Sequence, residues 1–268
     1  MTRRDIFSLI KTRQSYLCIG LDTDWEKIPA HLKAYDDPIF EFNKQIIDAT
    51  RDVCVAYKPN LAFYEVRGAQ GWQSLQKTLQ YIGKEHFTIA DAKRGDIGNT
   101  AKMYAKAFFE TLPFDAVTVA PYMGEDSVKP FLNFDQKWVI LLALTSNTGA
   151  ADFQLSTQNS AEKPLYEKVI RKAATWGTPD NLMFVVGATQ SEFFSKIRDI
   201  VPEHFLLVPG VGEQGGELRK ISELALNEMV GLMVNSSRGI LYASNGENFA
   251  QAARMAAKQI QVEMSDFL

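Results

Sequence analysis

Acidic and basic residues alternate where one apolar segment ends: FTIADAK (87–93) runs into Asp91-Ala92-Lys93-Arg94-Gly95-Asp96. On a strand, residues i and i+2 share a face, so Asp91 and Lys93 point together above Phe87 and Ile89. Two other apolar segments close in the same way, YLCIGLD (16–22) on Asp22 and VCVAYKP (53–59) near Lys58. By the same parity Lys58 stands above Ala56 and Cys54, and Asp22 above Gly20 and Cys18. Each charge taken singly reads as a solvated strand end or an ion pair. Taken together at the ends of successive strands they read as a site, with two ammoniums and up to three carboxylates at one mouth. An ammonium held between carboxylates stays protonated. It can give its proton to a developing carbanion or stabilise that charge electrostatically.

Other chemistries find little support. The three histidines, His31, His86 and His204, are scattered, and His86 and His204 precede their apolar segments instead of ending them. No metal-ligand spacing links them. No GxSxG elbow or Walker A sequence occurs. A literal GxGxxG lies in Pro209-Gly210-Val211-Gly212-Glu213-Gln214-Gly215-Gly216. The dinucleotide fingerprint, however, needs an acid about 20 residues further on, where this chain has Val234-Asn235-Ser236. What survives is a glycine-rich loop whose amides can approach an anion. Ser236-Ser237-Arg238-Gly239 follows the next apolar segment, so Arg238 is placed for a bidentate phosphate contact and Gln214 for a neutral one.

Eight short apolar segments recur along the chain: 16–22, 53–59, 87–93, 116–121, 138–145, 182–189, 205–210 and 231–237. Their length and β-branched content suit strands buried on both faces, as in a parallel sheet. Helix-period stretches separate them, including Phe40 to Arg51, Gly71 to Gly83, Asn99 to Thr111, Pro164 to Trp176, Ser191 to Ile200, Gly216 to Leu226 and Phe249 to Val262. The first fourteen residues read as a short amphipathic helix with Ile6, Leu9 and Ile10 on one face. Strand–helix alternation without a linker predicts a single α/β domain over 1–268, a (β/α)8 TIM barrel, with a doubly wound sheet as the alternative topology. The polar stretch from Ser146 to Glu162 follows the fifth segment and reads as an active-site loop or a solvated insertion.

With 268 residues, 46% of them hydrophobic and 23% charged, the composition excludes disordered and fibrous classes. A net charge of -3 gives no electrostatic reason to bind nucleic acid or an anionic membrane. The longest apolar run, Trp138 to Leu144, is too short to span a bilayer as a helix. Two cysteines inside apolar runs, Cys18 and Cys54, fit a reducing compartment, so a cytoplasmic location is expected.

DAKRGDIGNT resembles the DxKxxDIxxT signature of the orotidine 5'-phosphate decarboxylase family. The chain as a whole is similar to the longer bacterial group of that family. The resemblance continues through LDTD around Asp22, YKPN around Lys58, APYMGEDS (120–127), LTSNTGA (144–150), PGVGEQGG (209–216) and NSSRGI (235–240). It implies a homodimeric barrel that converts orotidine 5'-monophosphate (OMP) to UMP and carbon dioxide, with no metal or organic cofactor. It further implies that Lys93 protonates C6 of the pyrimidine and that Asp91 faces the substrate carboxylate. By the same resemblance Lys58 and Asp96 would complete a Lys-Asp-Lys-Asp network, with Asp96 and Thr100 reaching into the neighbouring subunit. It likewise implies that Asp22 holds ribose hydroxyls, Ser146 the pyrimidine edge, and Gln214 and Arg238 the phosphate. Asn147-Thr148 and Ser236-Ser237 depart from shorter family members. Sugar-phosphate decarboxylases of the same superfamily resemble the third segment but use Mg²⁺ and place an acid where this chain has Lys58. A non-catalytic phosphate-ligand sensor on a barrel scaffold is the alternative from outside enzymology.

Overall fold

The computed structural model describes residues 1–157, 162–211 and 217–268. Each of the eight apolar segments forms a strand: β1 (Leu17–Leu21), β2 (Ala56–Pro59), β3 (Phe87–Arg94), β4 (Ala116–Val119), β5 (Trp138–Leu144), β6 (Leu182–Val186), β7 (Leu206–Pro209) and β8 (Leu232–Ser236). Every neighbouring pair is parallel, and β1 closes on β8 with Leu17 opposite Val234 and Ile19 opposite Ser236. Closure removes the sheet edges and selects the (β/α)8 barrel over the doubly wound sheet. The strands are buried on both faces because their side chains alternate between the barrel interior and the helical layer. Phe87 meets Trp138 edge-on at 6.2 Å between ring centres.

The helices are α1 (Arg3–Arg13), α2 (Pro38–Thr50), α3 (Ala62–Glu65), α4 (Gly68–Ile82), α5 (Gly98–Lys106), α6 (Glu125–Leu132), α7 (Ala150–Phe153), α8 (Leu165–Ala173), α9 (Phe194–Ile200), α10 (Leu218–Ala225), α11 (Arg238–Leu241) and α12 (Phe249–Ser265). A capping box between Thr2 and Asp5 starts α1, which buries Ile6 and Ile10. Asp37 caps α2 and Pro38 occupies its first turn, where no N–H is needed. Phe249 of α12 stacks on Phe42 of α2 at 5.0 Å, joining the last helix to the first of the outer ring.

Two details depart from the periodicity. Between β4 and β5, where the stretches of helical period named above include none, α6 forms with Pro130 inside it. More consequential is β3, which is not a regular strand: its register against β4 shifts between Ala90 and Arg94.

The end of the barrel away from the charged strand ends is sealed by Arg198. Its guanidinium donates to the carbonyls of Ala225, Val201, His204 and Gly231 at 2.7–3.1 Å. His204 sits beside it against Phe184, with neither ring nitrogen hydrogen-bonded among the described residues. Burial, reinforced by the Arg198 and Arg3 charges, pushes its imidazole down from 6.5 to about 4. The unfolded chain therefore takes up this proton below pH 6.5, while the folded chain resists until about pH 4. Stability is lost as pH falls through that window. Replacing His204 by Leu should stabilise the fold, and the gain should be about 2 kcal/mol larger at pH 5 than at pH 7.5. Urea midpoints of the two proteins at both pH values check this. An equal gain at both would show that His204 is not held neutral.

Candidate active site

Asp91, near the end of β3, lies between two ammoniums. Its Oδ2 accepts from Lys58 Nζ at 2.7 Å and its Oδ1 from Lys93 Nζ at 2.6 Å. The two lysines differ in exposure. Lys58, on β2, has 5% of its side chain accessible, whereas Lys93 has 52%, so one is built into the wall and the other overhangs the opening. Burial by itself would lower the Lys58 pKa, but attraction to Asp91 and Asp22 outweighs it and holds the ammonium above its ordinary value. For Asp91 burial acts upward, and the adjacent Lys58 and Lys93 charges overcome it, holding the carboxyl well below the usual carboxylate range. Lys58 and Asp91 are therefore both charged at neutral pH.

The convergence of Asp91 and Lys93 is achieved differently from the simple parity of a strand. Lys93 has φ +47°, the left-handed region that a non-glycine residue rarely adopts, and it sits within the register shift. The bulge turns the chain so that the Lys93 ammonium still returns to Asp91. Strain of this kind persists where surrounding contacts over-determine it, and it is common at functional sites.

Asp22 follows β1 and faces the same opening. Its backbone carbonyl accepts from Tyr242 OH at 2.8 Å, and the carbonyl of Leu21 accepts from Tyr64 OH at 3.2 Å. Asn43, whose amide donates to Tyr64 OH and Thr78 Oγ1, buttresses Tyr64 in turn. A cavity of about 150 Å³ is lined by Asp22, Lys58, Asp91, Gly210, Asn235, Ser237 and Arg238. Two acceptors in its wall, Asp22 Oδ1 and Asn235 Oδ1, are buried without a hydrogen-bond partner among the described residues. Buried orphan acceptors are costly, and a ligand hydroxyl or N–H would satisfy them.

Arg238 begins α11 at the cavity rim. Its turn lies hard against β1: a Cβ on Gly20 would stand 1.9 Å from Ser237 Oγ, so only glycine admits the turn there. Ser146 approaches the end of β6 in the same manner, since a Cβ on Gly187 would come within 2.6 Å of the Ser146 backbone nitrogen. Ser146 does not line the cavity that holds Lys58 and Asp91. Gln214 lies outside the described residues. Asp96 accepts from its neighbour Ile97 N–H at 2.8 Å, and no hydrogen bond or ion pair joins it to Lys58 or Lys93 among the described residues. Thr100 is exposed on α5. The single chain thus unites Lys58, Asp91, Lys93, Asp22 and Arg238 around one opening and leaves Asp96 and Thr100 outside it. Sequence reasoning missed Asn235 in β8 and Thr118 in β4. Thr118 Oγ1 donates to Asp91 Oδ1 at 3.2 Å.

Residues 15–253 match the orotidine 5'-phosphate decarboxylase / HUMPS family. The orotidine 5'-phosphate decarboxylase of Bacteroides fragilis is 57% identical over 271 aligned positions, which take in 100% of this chain and 98% of that protein. Among solved structures, the OMP decarboxylase of Leishmania donovani superposes with a TM-score of 0.85 at 34% identity, covering 100% of this chain and 98% of that one. The UMP synthase of the same organism superposes with a TM-score of 0.85 at 35% identity, and this chain spans 56% of that longer protein.

The seam between β1 and the Arg238 turn gives a testable outcome. Gly20→Ala should cost about 1–3 kcal/mol of stability through overpacking. Ser237→Gly in the same chain should recover most of that loss, because it removes the atoms the new methyl meets. Urea unfolding of the two single variants and the double variant reads the coupling, and purely additive effects would contradict the close approach.

Proposed function

The chain belongs to the orotidine 5'-phosphate decarboxylase family, and from that membership we infer that it converts OMP to UMP and carbon dioxide. The observation that carries the mechanism is Asp91 clamped by Lys58 and Lys93 at the cavity mouth. Loss of carbon dioxide breaks the C6–carboxylate bond and leaves its electron pair on C6, in the plane of the ring. That pair cannot delocalise into the ring π system, so the site must stabilise it directly. A fixed ammonium does so: Lys93 Nζ first offsets the growing charge, then gives C6 its proton and later regains one from water. The 52% exposure of the Lys93 side chain leaves it room to turn from Asp91 toward a bound ring. Asp91, its charge fixed by two neighbours, stands where the substrate carboxylate would lie and opposes that carboxylate while orienting Lys93. Both Asp91 oxygens are occupied by ammoniums, which favours chemistry without a metal or organic cofactor.

The remaining contacts divide the nucleotide among the walls. Asp22, with its orphan oxygen, suits ribose hydroxyls, and Lys58 lies near enough to assist. Arg238 suits the phosphate, and the family resemblance adds Gln214 to the same role. Ser146 suits the pyrimidine edge. No helix among the described residues is long and apolar enough to cross a membrane. We assign the chain to the cytoplasm as one domain over 1–268, with no nucleic-acid or membrane partner.

Asp96 and Thr100 are assigned to the active site of a second copy. Apolar side chains are exposed around them, Ile97 at 53%, Met103 at 48% and Tyr122 at 93%, with the Met123 methyl facing Gly95. Such a patch suits burial in a homodimer that joins two barrel mouths. Lys93→Ala and Asp96→Ala should each be nearly inactive. Mixed under conditions of subunit exchange, a heterodimer carries one site with both defects and one with neither. Activity should then rise to roughly a quarter of wild type if pairing is random. Demonstrated exchange without recovery would place Asp96 in its own subunit's site.

A further inference from the structure

Residues 91, 92 and 93 of β3 stand opposite the single residue Thr118 of β4, because the register passes from Ala90–Val117 directly to Arg94–Val119. A ladder stretched in this way leaves backbone N–H groups of the longer strand without their regular partners. Here the Thr118 side chain replaces them. Its Oγ1 accepts from Ala92 N–H at 2.9 Å and from Lys93 N–H at 2.8 Å. A hydroxyl has two acceptor positions and one proton. With both acceptor positions filled, that proton is free only for Asp91 Oδ1, 3.2 Å away. Thr118 is 1% exposed, so water does not compete for these bonds.

We propose that Thr118 is a positioning residue for the decarboxylation, its hydroxyl holding the β3 bulge that returns the Lys93 ammonium to Asp91 while fixing the Asp91 carboxylate itself. One group thereby controls both partners of the reacting pair: the backbone of the proton donor and an oxygen of the acid that orients it. The left-handed backbone at Lys93 makes such a tie necessary, since a non-glycine residue relaxes out of that conformation unless its neighbours prevent it. The assignment rests on Lys93 and Asp91 having the roles given above.

Thr118→Val keeps the shape and deletes the hydroxyl, and Thr118→Ser keeps the hydroxyl. In Thr118→Val, kcat for OMP should fall by about a hundredfold, the usual cost of misplacing a reacting group by a fraction of its contact distance. KM and UMP affinity should stay within about threefold, because ribose and phosphate are held on other strands. Thr118→Ser should return kcat to within about tenfold of wild type. A wild-type kcat in Thr118→Val, equal losses in the Val and Ser variants, or a loss confined to KM would each overturn the proposal. If the Val variant does not fold, Thr118→Cys carries the test: its weaker acceptor should give a reduced kcat at unchanged UMP affinity, and wild-type turnover would refute the role. Lys93→Ala measured alongside separates the two levels. Full activity there removes the proton-donor assignment itself, whereas an inactive Lys93→Ala with a wild-type Thr118→Val removes only the role of Thr118.

Discussion

The pairing of Asp91 with two ammoniums is the constraint that the rest of the site obeys. Lys58 is almost wholly enclosed, and an enclosed ammonium without a counter-charge would lose its proton or unfold its surroundings. Asp91 prevents both. The same carboxylate draws Lys93 back across the opening, so one side chain sets the protonation of the wall and the position of the second ammonium. Three elements must agree for this to happen: β2 brings Lys58, β3 bends to present Asp91 and Lys93, and β4 supplies Thr118 behind the bend.

Around this fixed centre the cavity keeps polar groups in reserve. Among the described residues Asp22 Oδ1 and Asn235 Oδ1 are buried without hydrogen-bond partners. Such groups lower the stability of the empty protein, and a ligand that filled the space would offset the cost. Their support is rigid: Tyr242 and Tyr64 hold the turn after β1 by its carbonyls, and Gly20 lets the Arg238 turn lie directly on that strand. The opposite end of the barrel is occupied by a different arrangement, in which Arg198 ties five backbone carbonyls together and His204 is held neutral. Chemistry and stability thus occupy opposite ends of the same eight strands.

All eight strands were legible because residues buried on both faces leave continuous apolar runs, and the charges that end three of those runs do converge on one opening. Helix α6 was harder to read, since Pro130 inside a segment of only eight residues signals a helix stop. The bulge in β3 was hidden for another reason. Parity arguments assume a regular strand, and nothing in ADAKRGD announces a left-handed lysine. Thr118 looks like any β-branched strand residue in AVTVAP until its three partners are seen. Asn235 is concealed in the same way, because a strand read as apolar throughout gives no reason to ask which of its polar side chains faces a cavity. Asp96 is the converse case: the motif points to it, and its own chain does not bring it to the lysines.

Turnover of OMP by Asp91→Asn tests the organising role of the Asp91 charge most directly. The amide keeps the shape, removes the charge that orients Lys93, and takes from the Lys58 ammonium its direct ion-pair partner. Decarboxylation should fall by a thousandfold or more, on the order of the larger losses seen when one preorganised charged partner is removed from an active site. An Asp91→Asn protein that binds UMP and still decarboxylates OMP within about tenfold of the wild-type rate would contradict the claim that this carboxylate organises the site.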